Sequence, residues 1–592
     1  MKNKYLIPLI LIIASVFIYS FNLNNELFWD DEEWILRNIF VHEITWDNIK
    51  FWLTNNTLAG VGLKSNYYRP FLFFTFALNY IISGAKPLGY HLVSNGIHIV
   101  NGLLVFFVIK RFDLGISKGR TSAVAFLTAL IFLIHPLQTE AITYIAGRGD
   151  ALVAMFMLLS LLLFYKVNTR SDLSVQGRTL YWSLSILSLV LGILSRETGI
   201  IFPFLAWALY VAFLSQDKFI KSVKTGLIKV WPYFAVVVIY GILRLTVLNF
   251  LNTLNFYSAP NIYSENLHIR LLTFLPILWG YIKLLFVPVG LHMERSAIVY
   301  TSLFQWPAWL VFLGLVALLV WLRYLYKKGR QSEFKIWLFG IMWFFICLGP
   351  VSGITPINAL MYEHWLYLPM VGFWLIVSFY LVKVLEFKGP TFLKIQGRTL
   401  IIAPLIAYFA FLSYQSIQRN IVWGSEERLY RNILKYEPQS ARINNNLGNL
   451  YFDKGDMEQA ELYYRRAIEI DDVFAEPYYN LGTIIQSRGD TFGAIRLFEK
   501  AIEVNPNFYY PYQNLAIIYA GQGQLAKALE NLEKLKILTP RNPRVYYNIA
   551  LIHNTLKNKE QAIKELKDGL RYSEIDLETG RQMERLLRQL EK

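Results

Sequence analysis

Residues 1–21, MKNKYLIPLILIIASVFIYSF, set a short basic segment ahead of an apolar run from Tyr5 to Phe21. Charge and length suit a secretory signal, but the SVFIYSFNLNNEL that follows offers no A-x-A pattern for cleavage. The stretch reads better as an uncleaved first membrane helix. Working outward from it, apolar runs near the roughly 20 residues needed to cross hydrocarbon recur as far as IQRNIV, before residue 423. Composition agrees: 55% of the 592 residues are hydrophobic and 17% charged, too apolar for an ordinary soluble protein. A polytopic helical membrane domain is expected over 1–420.

The net charge of +16 could point to nucleic acid, but the basic residues cluster in short loops between apolar runs, where positive charge sets orientation. These loops are KNK near the start, 110–120, 166–178, 217–229, 323–330 and 383–398, all expected on the cytoplasmic side. The alternate loops, 22–90, 135–150, 195–199, 249–270 and 354–369, are richer in acids, aromatics and histidine and belong outside. Counting Leu271 to Val287 as a crossing would put YKKGR outside, so this stretch reads as re-entrant or interfacial. About 11 crossings remain, an odd number that leaves the C-terminal region outside. The single cysteine, Cys347, excludes a disulfide within one chain.

After a connecting helix at 421–440 the pattern changes period. Segments beginning NNLGNLYFDKGD, YNLGTIIQSRGD, QNLAIIYAGQGQ and YNIALIHNTLKN recur every 34 residues, a tetratricopeptide array over 441–592 with a capping helix. Ala460, Ala494, Ala528 and Ala562 let paired helices approach closely, and Pro506 and Pro540 stop the second helices. Asn446, Asn480, Asn514 and Asn548 share one register, where carboxamides could hold an extended peptide or simply be consensus residues.

Four polar groups fall in the outer loops. LFWDDEEWILRN (27–38) carries Asp30, Asp31, Glu32 and Glu33. One or two acids would cap a helix, EEWILRNIF. Four beside Phe28, Trp29 and Trp34 repel one another, raising basicity as a general base requires or inviting a divalent cation. No metal ligand set can be named. The second group holds Arg69, suited to a phosphate or to snorkelling, with His91 and His98, the last read as a core histidine. The third, HPLQTEAITYIAGRGD with SRETG, holds His135, Glu140, Arg148, Asp150, Arg196 and Glu197. The fourth, MYEHWLYLP, holds Glu363 and His364. Zinc-hydrolase spacings, a Walker loop and a nucleophile elbow are all missing.

In this order the segments LFWDDEEWILRN, YYRPFLFFTFALNY, PLGYHLVSNGIHIVN, HPLQTEAITYIAGRGD, SRETGI, MYEHWLYLP and VWGSEERLYRNILKYEP resemble the transmembrane and tetratricopeptide-repeat-containing protein O-mannosyltransferases of the GT-C superfamily and their bacterial relatives. The resemblance implies a polyprenyl-phosphate-linked sugar donor in the bilayer and transfer to Ser/Thr hydroxyls of exported proteins. The chain would sit in the cytoplasmic (inner) membrane, with catalysis and the repeats on the periplasmic side. It makes Asp30 and Asp31 the catalytic acids, Asp30 the first choice as base, and leaves Glu32 and Glu33 as helix acids. It places Arg69, His91, Arg148, Arg196 and Glu363 around the donor phosphate and sugar; His135, Glu140, Asp150, Glu197 and His364 are candidates beside them. Animal members tend to have Arg where His364 stands. Transfer to a lipid or glycan, or a non-enzymatic membrane scaffold, remain the alternatives.

Overall fold

The structure, a computed structural model, describes residues 5–251, 261–296, 298–357, 359–385 and 394–592. The basic KNK at the start, part of the loop 249–270 and half of the basic cluster 383–398 lie outside the described residues. Among those described there are helices and no strands. They form two compact units, Met1–Leu429 and Tyr430–Lys592.

In the first unit the long helices are α1 (Leu6–Tyr19), α2 (Pro70–Ser83), α3 (Pro87–Ile109), α4 (Lys118–Ile134), α5 (Arg148–Thr169), α6 (Val175–Ser195), α7 (Phe202–Leu209), α8 (Phe219–Leu245), α9 (Leu267–Phe286), α10 (Ala308–Lys327), α11 (Gln331–Leu348), α12 (Pro369–Leu385) and α13 (Lys394–Val422). Proline opens α2 and α3, where a missing N–H costs nothing, and the Ser117 and Ser174 hydroxyls cap α4 and α6. Among the described residues eight helices are long and apolar enough to cross a membrane, nine if α4 is joined to Pro136–Thr143 across a 57° bend. This is a multi-pass membrane protein. Gly340 of α11 and Gly372 of α12 touch backbone to backbone: a Cβ on Gly372 would lie 2.5 Å from the Gly340 carbonyl oxygen.

By length α9 qualifies as a crossing, yet its hydrogen bonds keep both ends at one end of the bundle. Arg270 near its start donates to the carbonyls of Gly353 and Ile354, Tyr281 to that of Tyr362, and the Leu285 carbonyl pairs with His135. All of these partners lie in or beside loops at that same end. The helix is continuous over Leu267–Phe286 and is one of the eight long enough to cross. The α2 helix stays there too, with Arg69 at its start bound to Glu197 and Gly84 at its end bound to Tyr90. Against the about 11 crossings expected, the described residues supply eight or nine helices that meet the length and apolarity a crossing needs; α1 and α12 are apolar but shorter.

Asparagines tie helix ends together at this polar end. Asn22 and Asn95 exchange hydrogen bonds at 3.1 and 2.9 Å, Asn22 also donates to Thr143, Thr143 donates to Asn420, and Asn420 returns to the Ile18 carbonyl. These groups are buried, so each pairing avoids a desolvation cost of about 1–3 kcal/mol.

The second unit has four helix pairs, Ala441–Asp453 with Met457–Ile470, Ala475–Ser487 with Thr491–Val504, Tyr509–Gly521 with Leu525–Leu538, and Pro543–Thr555 with Lys559–Leu570, then Leu577–Glu591. Ala460, Ala494, Ala528 and Ala562 are wholly buried, as the spacing predicts. The turn within each pair needs one residue with left-handed backbone: Gly455, Gly489 and Gly523 supply it, and in the fourth repeat Lys557 does, at φ 63°.

Candidate active site

The structure splits the acid run into two halves with different surroundings. Trp29 has φ 63°, a rare conformation for a bulky residue and one that concentrates at functional sites. It turns the chain so that Asp30 faces solvent while Asp31 is buried. Asp31 accepts from the Ala146 N–H at 2.7 Å, with the Ile145 N–H beside it. Burial pushes its carboxyl well above the usual carboxylate range; the two amides oppose this and the Asp30 charge adds to it. Asp30 is held by Tyr144, whose ring stacks on Trp423 at 5.3 Å. The loop Tyr144–Gly147 thus receives both acids.

Glu32 and Glu33 are first-turn acids of the helix that follows, as expected, but that helix is short. The segment Glu32–Leu36 is a single π turn, not the start of a regular helix, and the Asp31 side chain makes no cap bond to it. Glu32 and Glu33 open that turn and both bind Arg37 at 3.0 Å on the surface. Capping fails because Asp31 is already committed to the loop at 145–146.

Three ion-paired groups share this end of the bundle. Arg69 donates from Nε to Glu197 at 3.0 Å, and Glu197 also accepts from the Tyr68 N–H at 2.8 Å. Burial would lower the Arg69 pKa, but Glu197 outweighs it and raises the group above its ordinary value. The Arg69 guanidinium lies over the Tyr67 ring at 4.4 Å. Second is a chain: Asp150 pairs with Arg196, Arg196 reaches His364 Nε2 at 3.3 Å, and His364 Nδ1 meets Glu140 at 2.8 Å. Glu140 also accepts from the His364 N–H at 3.0 Å, which fixes the ring. Third is Glu363, wholly buried, bound by Arg295 at 2.8 Å, Arg419 at 3.2 Å and the His292 N–H at 2.7 Å.

Other candidates are committed elsewhere. Arg148 is wholly buried and donates to Ser94, Asn79, Thr75 and the Tyr90 carbonyl, so it cross-links α2, α3 and α5 and cannot meet a phosphate without leaving them. His91 is buried against the Asn25 carbonyl at 3.1 Å. His135 uses both ring nitrogens on backbone, at Leu285 and Leu137, and pins the bend after α4. His98 is the expected core histidine, between Tyr367 and the Leu133 carbonyl. These bonds tie Arg148 and the three histidines to neighbouring segments, with His91 Nδ1 buried and lacking a described hydrogen-bond partner. Among the described residues no three His, Cys, Asp or Glu side chains converge as metal ligands. Sequence reasoning missed Arg295, Arg419 and Tyr144. Arg419 had a signal, a cation at the end of an apolar run; Arg295 and Tyr144 acquire partners only through folding.

In the repeats, Asn480 donates to Asn445 and Asn449, both at 2.9 Å, and Asn514 hydrogen-bonds Tyr479. At least these two members of the register build a ladder between neighbouring repeats.

Tetratricopeptide-repeat family models match residues 441–472, 497–530 and 543–576. Over most of its length the chain is similar to Protein O-mannosyl-transferase F38B6.6 of Caenorhabditis elegans, 26% identical across 77% of this chain and 61% of the relative. Similarity of 26% extends to Protein O-mannosyl-transferase TMTC1 of Homo sapiens, over 76% of this chain and 53% of that one, and to TMTC4 of Homo sapiens, over 77% and 65%. The chain spans between half and two thirds of the length of these relatives. A polytopic helical half followed by tetratricopeptide repeats is what this chain has in common with these protein O-mannosyl-transferases.

Proposed function

We propose that the chain is a GT-C membrane glycosyltransferase that moves a sugar, a mannose by its similarity to the relatives above, from a polyprenyl-phosphate donor to Ser/Thr hydroxyls of exported proteins. The acceptor oxygen attacks the anomeric carbon, the bond from that carbon to the phosphate oxygen breaks, and the phosphate leaves on its lipid. Asp30 takes the hydroxyl proton. The observation that supports this most is the split acid pair. Burial biases Asp31 toward its neutral form, which leaves proton acceptance to solvent-facing Asp30, and two close carboxyls serve best when they do not both ionise. Asp31 positions its neighbour through the amides of the 144–147 loop. The cations Arg69, Arg196, Arg295 and Arg419 stand at the same end, where a departing phosphate needs compensation.

In this reading the polar end faces the periplasm, because Lys110, Arg111, Lys166, Lys327 and Lys383 stand at the opposite helix ends. The repeats hold the acceptor peptide and raise its local concentration. No step calls for a nucleotide.

Asp30→Asn is expected to abolish sugar transfer in membranes with matched expression and an unchanged melting temperature. Full activity in that variant refutes the base assignment. Intact-mass proteomics of exported proteins with and without the chain should show lost hexose increments; their absence would turn the reading to a lipid or glycan acceptor, or to a scaffold.

A further inference from the structure

Between α6 and α8 lies a cleft of about 460 Å³, lined by Trp182 and Ile186 of the first helix and by Ile228, Lys229, Trp231 and Pro232 of the second. Trp182 and Ile186 are spaced i, i+4, and Ile228 precedes Trp231 and Pro232 by three and four residues, so each helix contributes one stripe. The wall is fixed from behind. The Trp182 ring packs on Tyr233 and Phe164 with centroids 5.5 and 5.8 Å away, and the Tyr233 and Ser185 hydroxyls share a hydrogen bond at 2.6 Å. Arg244, near the end of α8, donates to the Asn66 carbonyl, which keeps that end with the polar groups. Counting back from Leu245 the ~20 residues that cross hydrocarbon reaches Gly226. Lys229 therefore stands roughly 5 Å inside the apolar layer, at the basic end of the bundle. Its side chain is exposed on the outside of the bundle and has no ion-pair or hydrogen-bond partner among the described residues. Pro232, inside the helix, brings no N–H to the Ile228 carbonyl, so the same cleft holds an acceptor without its helical bond.

We propose that this cleft holds one anionic glycerophospholipid of the surrounding bilayer. Its phosphate sits on Lys229, a headgroup hydroxyl donates to the Ile228 carbonyl, and the start of its acyl chains lies against Trp182, Ile186 and Trp231. Charge selects the occupant: a lysine at this depth needs an anion or a route to water, and one cation matches one net negative charge. The hydrocarbon has its own surface, because Ile228 and Trp231 are 70% and 64% exposed. The volume falls within the ~300–1,000 Å³ of small-molecule sites, enough for a headgroup and the first carbons of its chains. Standing at the end opposite Asp30, the site holds a lipid that sugar transfer leaves unchanged, and it does not depend on the donor proposed above.

The test is native mass spectrometry of the purified full chain, delipidated in detergent, with phosphatidylglycerol or phosphatidylcholine added at matched mole fraction. Phosphatidylglycerol should be retained as one copy, and phosphatidylcholine retained more weakly. Lys229→Gln should weaken that adduct about fivefold, the usual worth of one lysine against anionic headgroups. Lys224→Gln removes the same charge from the same helix, about 140° round it from Lys229, and should leave the adduct unchanged. Ile186→Trp, which fills the cleft from α6 without altering charge, should weaken it as well. Equal retention of phosphatidylcholine, or no retained phosphatidylglycerol, overturns the proposal. So does an adduct that Lys224→Gln weakens as much as Lys229→Gln, because the attraction would then be a diffuse field of the basic end. Unchanged binding in either cleft variant also overturns it.

Discussion

Glu363→Gln isolates what the buried polar network contributes. The carboxylate is wholly buried and accepts three hydrogen bonds, two of them from Arg295 and Arg419, whose side chains are only 15% and 3% exposed. Glutamine keeps the shape and one acceptor oxygen but removes the charge, leaving two guanidiniums close together out of water. Removing one partner of a buried pair costs about 3–5 kcal/mol, whereas an exposed pair is worth ~1 kcal/mol or less. At roughly 2 °C per kcal/mol for a large unit, the melting temperature should fall by about 6–10 °C. The matched control is Glu32→Gln, which breaks a surface pair to Arg37 and should shift melting by about 2 °C or less. The assay is thermal unfolding in detergent with a thiol-reactive fluorophore, since Cys347 is buried until the bundle opens. A Glu363→Gln melt within about 2 °C of the parent would refute the claim that this carboxylate neutralises buried arginines.

The repeats and the acid pair give two further tests. Lys557 occupies a left-handed position that glycine holds in the other three repeats, so Lys557→Gly should stabilise the chain by ~0.5–1 kcal/mol, read as a raised denaturant midpoint; a lowered midpoint would contradict the strain. Asp31 is a carboxyl whose folded pKa is raised. It therefore costs nothing below its unfolded value near 3.9 and destabilises increasingly as pH climbs from there toward the folded value, by about 1.4 kcal/mol per pH unit. Asp31→Asn, which keeps an oxygen for the Ala146 N–H, should remove that slope. Melting curves between pH 4 and pH 8 that run parallel for parent and variant would show that burial does not control this carboxyl.

The repeat array and the membrane half were legible from the chain because both are set by local period. A 34-residue spacing of Ala and Leu specifies paired helices, and apolar runs of helical length specify spans, whatever else they touch. The candidate site was legible as an inventory of outer-loop ionisable residues, and most of its members do meet at one end of the bundle. Their roles were not. His135 and His364 look alike in sequence, yet one is consumed by two backbone groups and the other joins Glu140 to Arg196.

Asp30 and Asp31 show the division most plainly. Sequence determined that two carboxylates follow a tryptophan in the first outer loop. Only the tertiary structure decided that Trp29 turns left-handed, that Asp31 meets the Ala146 amide from a segment over a hundred residues away, and that Asp30 is left facing solvent. Protonation depends on burial and on partners brought from distant parts of the chain. Those are properties of the packed bundle, and no spacing along the sequence records them.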